Sequence, residues 1–305
     1  MRVNLMIEGQ EGVTWEHWCA LASACEEHGV DTLFRSDHYI SQADEQHNVA
    51  HDAWTTIAAL AARTTTLRFG TLVSPATFRA PGLLANAAAT ADVVSGGRIE
   101  LGLGAGWMER EHRAFGFEFP ETAVRVERFK EQLEIVHRLW TEERVDFRGR
   151  HYVLEDAPGL PRPVQRPRPP LIVGGSGKRG TVEPALRFAD EYNSPFVTVE
   201  EAAAIRKKVE PLRFSVMIGC LIGATRAEAL GRAQELYGRR PREASFDDWL
   251  AAYSQRAVVG SVDEVAAQLR GYAGAGCERV MLQHLLHTDL EPVRLIGREL
   301  APALA

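Results

Sequence analysis

The chain has 305 residues, 45% of them apolar and 25% charged, with a formal net charge of −6. That length accommodates two small domains or one large α/β barrel, and the acidic balance argues against a nucleic-acid partner. The four cysteines, at positions 19, 25, 220 and 277, show no Cys-x-x-Cys spacing, so neither a structural zinc site nor a disulfide framework is expected. The opening MRVNLMIEGQ carries too short an apolar run for a secretory signal. No apolar run approaches the ~20 residues that cross a bilayer. A cytoplasmic protein without a membrane partner is expected.

Short apolar runs alternate with helical patterns. VNLMI (3–7) reads as a strand. TWEHWCALASACEEHG (14–29) places Trp15, Trp18, Leu21, Ala22 and Cys25 at helical spacing and ends in a glycine stop signal. A second strand, 31–35, precedes a helix over 52–63. A third strand covers 66–73, followed by a helix over 81–97 that Pro81 opens and Gly96-Gly97 closes. RIELGLG (98–104) is a fourth strand, and a long helix fits 121–140. The segment 145–155 predicts a small hairpin about Arg148-Gly149. The six prolines of 158–170 exclude a helix or a paired strand there. Residues 145–169 therefore read as an insertion crossing the surface. The rhythm resumes with PLIVGG (170–175), a helix over 178–189 and a short strand near 191–195. Strands over 212–221 and 277–284 follow, separated by a helical excursion at about 224–256, and EPVRLIGREL (291–300) closes the chain as a helix. Eight strand–helix alternations predict an α/β fold, one (β/α)8 TIM barrel with insertions over residues 1–305. A doubly wound open sheet is the second reading.

In such a barrel the active site is built at the C-terminal strand ends. Glu8-Gly9-Gln10 follow the first strand, Ser36-Asp37-His38 the second, and Ser74 and Thr77 the third. Gly104-Ala105-Gly106 follow the fourth, Gly174-Gly175-Ser176-Gly177 the fifth and Gln283-His284 the last. His38 reads either as a general acid/base or hydrogen-bond donor to a ligand, since imidazole titrates near neutrality, or as a surface histidine beside a strand. Asp37 reads the same way, or as a turn carboxylate. GGSGKRG (174–180) lies between strand and helix. Its amides can wrap an anionic oxygen, with Lys178 and Arg179 adding charge, or it is a plain tight turn. GLGAGW (102–107) has G-x-G-x-G spacing, which is not the dinucleotide fingerprint. Two such turns at one mouth point to a phosphorylated cofactor. His47, His51 and Asp52 raise a metal option, but the first strand has no histidine and no metal is expected.

Four segments carry a resemblance. They are LFRSDHYI, RFGTLVSPATFRAPGLLANAAATADVVSGGRIELGLGAGWMEREHRAFG, PLIVGGSGKRGTVEPALRFADEYN and VVGSVDEVAAQLRGYAGAGCERVMLQ. Taken in order across most of the chain, they resemble the luciferase-like flavin/deazaflavin oxidoreductase superfamily, above all its branch expected to use coenzyme F420. The resemblance implies a homodimeric oxidoreductase that transfers a hydride between F420 and a small organic substrate. An FMN-dependent monooxygenase working with a separate flavin reductase is the alternative. It also implies a non-prolyl cis peptide at Leu72-Val73, behind a cofactor ring lying in the barrel mouth. Asp37 and His38 match the pair that meets the ring in deazaflavin members, with His38 bonding near the ring or the substrate oxygen and Asp37 anchoring His38 or a ring edge. The backbone around Ala105, Gly106 and Trp107, and from Gly174 and Gly175 to Ser176 and Gly177, matches cofactor contacts. Sugar-phosphate dehydrogenase members carry an acid where this chain has Trp107, so that substrate class is not expected, and Glu8 becomes the candidate proton donor. Trp107 and Trp54 read as pocket walls or as structural tryptophans.

Overall fold

The computed structural model describes residues 1–41, 50–239 and 244–305. Eight parallel strands close on themselves: β1 (Arg2–Ile7), β2 (Thr32–Arg35), β3 (Arg68–Thr71), β4 (Ile99–Gly104), β5 (Leu171–Gly174), β6 (Glu191–Pro195), β7 (Arg213–Gly223) and β8 (Arg279–Gln283). Each pairs with its neighbours in sequence, and β8 completes the cylinder against both β7 and β1. The fold is a (β/α)8 TIM barrel. The open-sheet reading fails because no barrel strand keeps a free edge. Among the described residues no helix is long and apolar enough to cross a membrane.

Helices α1 (Trp15–His28), α2 (Ala53–Ala61), α3 (Pro81–Ser95), α4 (Glu109–Phe115), α5 (Thr122–Thr141), α6 (Arg179–Phe188), α7 (Val199–Val209), α8 (Arg226–Gly238), α9 (Phe246–Ser254) and α10 (Val262–Gly274) lie between the strands. Their ends carry the chemistry that stops and starts helices. A Thr14/His17 capping box opens α1, and Gly29 ends it in the left-handed region at φ 81°. The Asp52 side chain accepts the Thr55 amide at the start of α2. The terminal segment departs from the expected single helix, since Glu291–Leu295 is α-helical and Ile296–Leu300 is a π-helical stretch. An antiparallel pair, Arg144–Arg148 with Val153–Pro158, occupies the region between α5 and β5.

Alternation along the strands sorts side chains into two sets. Val3, Leu5 and Ile7 of β1 face the helical shell, where they join one large core with residues such as Leu33, Phe69, Leu101 and Phe214. Met6, Phe34, Leu72, Ile172, Met217 and Met281 form a second, smaller apolar cluster inside the cylinder, with Val73 packed on it. Below it lies a buried ionic network. The Arg279 guanidinium donates to Glu100 at 2.7 Å, to Glu191 at 3.1 Å and to Thr32 Oγ1 at 3.2 Å, and also bonds Asn4 Oδ1. Arg68 and Arg213 reach the same two carboxylates from the side. The base of the barrel is thus charged, and the level beneath the mouth is greasy.

The third strand is shorter than its apolar run. β3 ends at Thr71, the Leu72-Val73 peptide is cis, and Ser74–Pro75 then pair with the end of β4. The glycines of β4 and β5 make room for this detour. A Cβ on Gly102 would collide with the Thr71 carbonyl and stand 2.9 Å from Val73 Cγ1. A Cβ on Gly104 would lie 2.7 Å from Val73 Cγ2, and one on Gly174 would lie 2.9 Å from Val73 Cγ1. We expect Gly102→Ala to destabilise the protein by about 1–3 kcal/mol, the usual scale of overpacking against backbone that cannot yield. A urea titration checks it, and an unchanged midpoint would mean the β3–β4 contact is softer than described.

Candidate active site

His38 stands just past β2. Its Nδ1 lies 2.8 Å from Glu111 Oε2, and its side chain is 13% exposed while that of Glu111 is fully buried. Because a carboxylate only accepts, the bond is donated by the imidazole. Burial works against charge on His38, but the bond to Glu111 and its negative charge, with Glu8 and Asp37 beyond, outweigh it and raise the imidazole above its ordinary value. Trp107 meets the same ring edge-on, with centroids 5.8 Å apart at 76°. Its indole is 57% exposed, so it stands at the rim as a free aromatic wall. Trp54 does not share that role. It is buried in the shell core, and its Nε1 donates to Ser74 Oγ at 3.1 Å.

Asp37 is buried, but it holds Arg79 rather than His38. Arg79 donates to its carboxylate at 2.6 and 3.2 Å, and Ser74 Oγ donates at 2.6 Å. The same guanidinium reaches Tyr39 Oη at 3.0 Å and Asp52 at 2.5 Å. The expectation that Asp37 anchors His38 is therefore corrected: a planar cation between Asp37 and Asp52 draws that carboxylate away. Asp52 is driven down to about 2. Burial acts against the shift, and the Thr55 amide and Arg79 outweigh it. Arg79 therefore knits the end of β2 to the start of α2. Of the three residues behind the metal option, Asp52 serves this network, His51 is exposed, and His47 lies outside the described residues.

Glu8 faces Gln283 across the β1–β8 seam. Gln283 Nε2 donates to one of its oxygens at 2.6 Å and Gln10 Nε2 to the other at 2.9 Å. Gln10 is in turn tied to Ser36 Oγ. The ends of β1, β2 and β8 thus share one polar collar above the apolar cluster of Met6, Phe34 and Met281.

The two glycine turns are built differently from one another. In the first, Gly104 serves the packing of Val73, while Gly106 adopts φ 82° so that the chain can turn past Thr77 Oγ1. Ala105 and Gly106 are half-buried and lead directly to Trp107. In the second, two amides are already spent. Gly175 N–H donates to the Asn193 carbonyl at 2.9 Å, and Gly177 N–H donates to Tyr192 Oη at 3.0 Å. Ser176 is exposed, and α6 begins at Arg179 with no side-chain cap, although the Thr181 amide donates to the Lys178 carbonyl at 3.0 Å. Arg179 turns to Glu183 on its own helix at 2.6 Å, which leaves Lys178 as the exposed cation beside the turn.

Two site features were not expected from the sequence. Glu111 lies one helical turn beyond Trp107, on a seven-residue helix too short to stand out by periodicity. Arg79 acts through its length, since it sits more than twenty residues from both carboxylates it bridges. A Trp-x-x-x-Glu spacing running into a short helix is the one available cue.

Residues 2–279 match the family described as luciferase-like monooxygenase. The chain belongs to this family. Curated relatives of this luciferase-like chain carry names with more than one cofactor. F420-dependent glucose-6-phosphate dehydrogenase from Nakamurella multipartita is 37% identical over 185 residues, which cover 60% of this chain and 52% of that protein. FMNH(2)-dependent dimethylsulfone monooxygenase from Pseudomonas putida is 32% identical over 171 residues, 56% of this chain and 45% of that protein. The chain spans about half the length of these two curated relatives. A monooxygenase from Streptomyces bottropensis superposes over 100% of both chains with TM-score 0.81 and 25% identity.

Proposed function

We propose that this luciferase-like protein is an oxidoreductase transferring a hydride between the deazaflavin coenzyme F420 and a small organic substrate. The observation that carries this reading is His38, an imidazole held by a buried carboxylate at the rim of an apolar barrel floor. The floor of Met6, Phe34, Leu72, Ile172, Met217 and Met281, backed by Val73, suits a flat ring, and the glycines at 104 and 174 keep the Val73 detour flush with it. The exposed, uncapped turn at Ser176–Lys178 suits an anionic tail. The similarity to an F420-dependent dehydrogenase supports the same cofactor.

When bound, a deazaflavin gives or accepts a hydride at one ring carbon. In the oxidative direction His38 Nε2 would accept the substrate's hydroxyl proton, and in the reductive direction it would return it. Glu8, the candidate proton donor from the sequence, accepts from two amide donors and would instead orient the substrate across from His38. Leu72 and Val73 would back the ring, Ala105, Gly106 and Trp107 would flank it, and Gly174, Gly175, Ser176 and Gly177 would hold the phosphate side. Asp37 acts at one remove, by fixing Arg79 and the turn that carries His38. Trp107 supplies an apolar wall, so the substrate is read as an alcohol, imine or activated alkene rather than a sugar phosphate.

A second reading, an FMN-dependent monooxygenase fed by a separate flavin reductase, is favoured by the 32% identity to the Pseudomonas putida enzyme. Side-by-side titration of the protein with F420 and FMN, read by fluorescence quenching, separates the two. We expect tight binding of F420 and weak binding of FMN. Preference for FMN would overturn the deazaflavin reading in favour of the second, and binding of neither would overturn both. The protein is also read as a homodimer, and a monomer mass by light scattering would overturn that.

A further inference from the structure

We infer that Glu111 is the positioning residue of this site: its carboxylate fixes the imidazole of His38 with the proton on Nδ1, so that Nε2 is the atom offered to the mouth. The inference rests on reading His38 as the group that handles the proton.

Three observations carry it. First, both oxygens of Glu111 are spent on one turn of chain. Oε2 accepts from His38 Nδ1 at 2.8 Å, while Oε1 accepts the amides of Tyr39 and, at 3.3 Å, of Ile40. A fully buried carboxylate with three donors from consecutive residues has no freedom to rotate away. Second, the helix that carries it is pinned. His112, the next residue, lies 2.7 Å from Thr77 Oγ1 through Nε2 and 2.7 Å from the Met108 carbonyl through Nδ1, and its ring packs on Phe78 and Phe119. Third, among the described residues His38 Nε2 has no hydrogen-bond partner, and the ring remains partly open to solvent.

The other charges facing His38 are already engaged. Glu8, from the end of β1, accepts from two amides, and Asp37, from the same turn as His38, is covered by Arg79. Glu111 alone among these carboxylates touches the ring. A carboxylate cannot donate, so neutral His38 must keep its hydrogen on Nδ1. Its Nε2 then carries a lone pair, ready to accept a hydroxyl proton.

Glutamine at this position makes the opposite demand. Its amide oxygen is claimed by the Tyr39 and Ile40 N–H groups, which leaves the NH2 group facing Nδ1. Nδ1 must then accept, and the hydrogen moves to Nε2. Glu111→Gln therefore presents a donor where the natural protein presents an acceptor.

The test is nitrogen NMR of the full chain labelled at histidine, followed across pH for the natural protein and Glu111→Gln. We expect neutral His38 to carry its proton on Nδ1 in the natural protein and on Nε2 in the variant. The variant's titration midpoint should fall, because an adjacent opposite charge is lost. The pH limb of kcat should move with it while KM changes little. Observing the Nε2–H form in the natural protein would overturn the inference, and this measurement stands even if the variant fails to fold. An unchanged proton position and midpoint in a folded variant would overturn it equally. Because the NMR result needs no cofactor, it separates this inference from the hydride-transfer reading, which the F420 titration tests.

Discussion

Replacing His38 with alanine lowers turnover with F420 by about 100-fold or more, the usual scale for removing a positioned acid/base group, and leaves F420 affinity within a few-fold of the natural value. The side chain is at the rim, and no shell or barrel packing depends on it, so the fold survives. Steady-state kinetics on substrates found by cofactor-reduction screening, beside a circular-dichroism melt, measure both halves. Near-normal turnover in a folded variant removes His38 from the mechanism. The stability change carries its own sign. His38 is raised above the ordinary imidazole value, so the stabilisation from its pair with Glu111 is fully present below that value and is lost as pH rises through the folded one. His38→Ala therefore loses more stability relative to the natural protein at mildly acid pH than at alkaline pH. A difference that is constant across pH would contradict the raised value.

The second large effect is at the other end of the barrel. Arg279 is fully buried and faces Glu100 and Glu191, both almost inaccessible. Arg279→Met leaves two carboxylates without their shared cation, and the expected loss is about 3–5 kcal/mol. Equilibrium denaturation reads it directly, and a loss below 1 kcal/mol would show that Arg68 and Arg213 suffice. Glu100 supplies the pH counterpart. Burial opposes its charge, but Arg279 and Arg68 outweigh that and hold its carboxyl below the ordinary range. Its contribution is present above the ordinary carboxylate value and is lost as pH falls through the folded one. The stability gap between the natural protein and Arg279→Met should therefore be widest above the ordinary carboxylate value and narrow as pH falls through the folded one.

Much of this architecture is legible in the sequence because strands of a buried parallel barrel are short apolar runs bracketed by glycine and polar residues. β1, β2, β4, β5 and β8 follow that pattern within a residue or two. The third strand misled, because its apolar run continues through Leu72 and Val73 although pairing to β2 and β4 breaks there. Another parallel strand, Ala257–Ser261, beside β7, went unread. It is five residues long, contains Gly260, and merges into the cap of α10, where Ser261 accepts from Glu264 N–H. At the site, His38 and Trp107 were visible as polar or aromatic residues just past strand ends. The partners that orient His38 and Asp37 were not. Glu111 and Arg79 reach them through tertiary contacts, and neither spacing nor composition encodes a contact between residues more than forty positions apart. The glycine turns carry a related ambiguity: a missing Cβ looks the same whether it admits a ligand or a neighbouring valine.

β7 is eleven residues long, about twice the span of its neighbours, and divides its labour along its length. Arg213–Met217 are fastened to β6, and Ser215–Gly219 to β8. From Gly219 onward the edge that β6 has left is taken by Ala257–Ser261. Among the described residues, α8 and α9 therefore follow from an overhanging beam, with Arg232 of α8 also tied to Asp289 beyond β8. Insertions or wholesale exchange in that stretch would reshape one bank of the mouth without slipping any of the eight strands out of register. A scaffold joined in this way can vary that bank while the eight strands stay still.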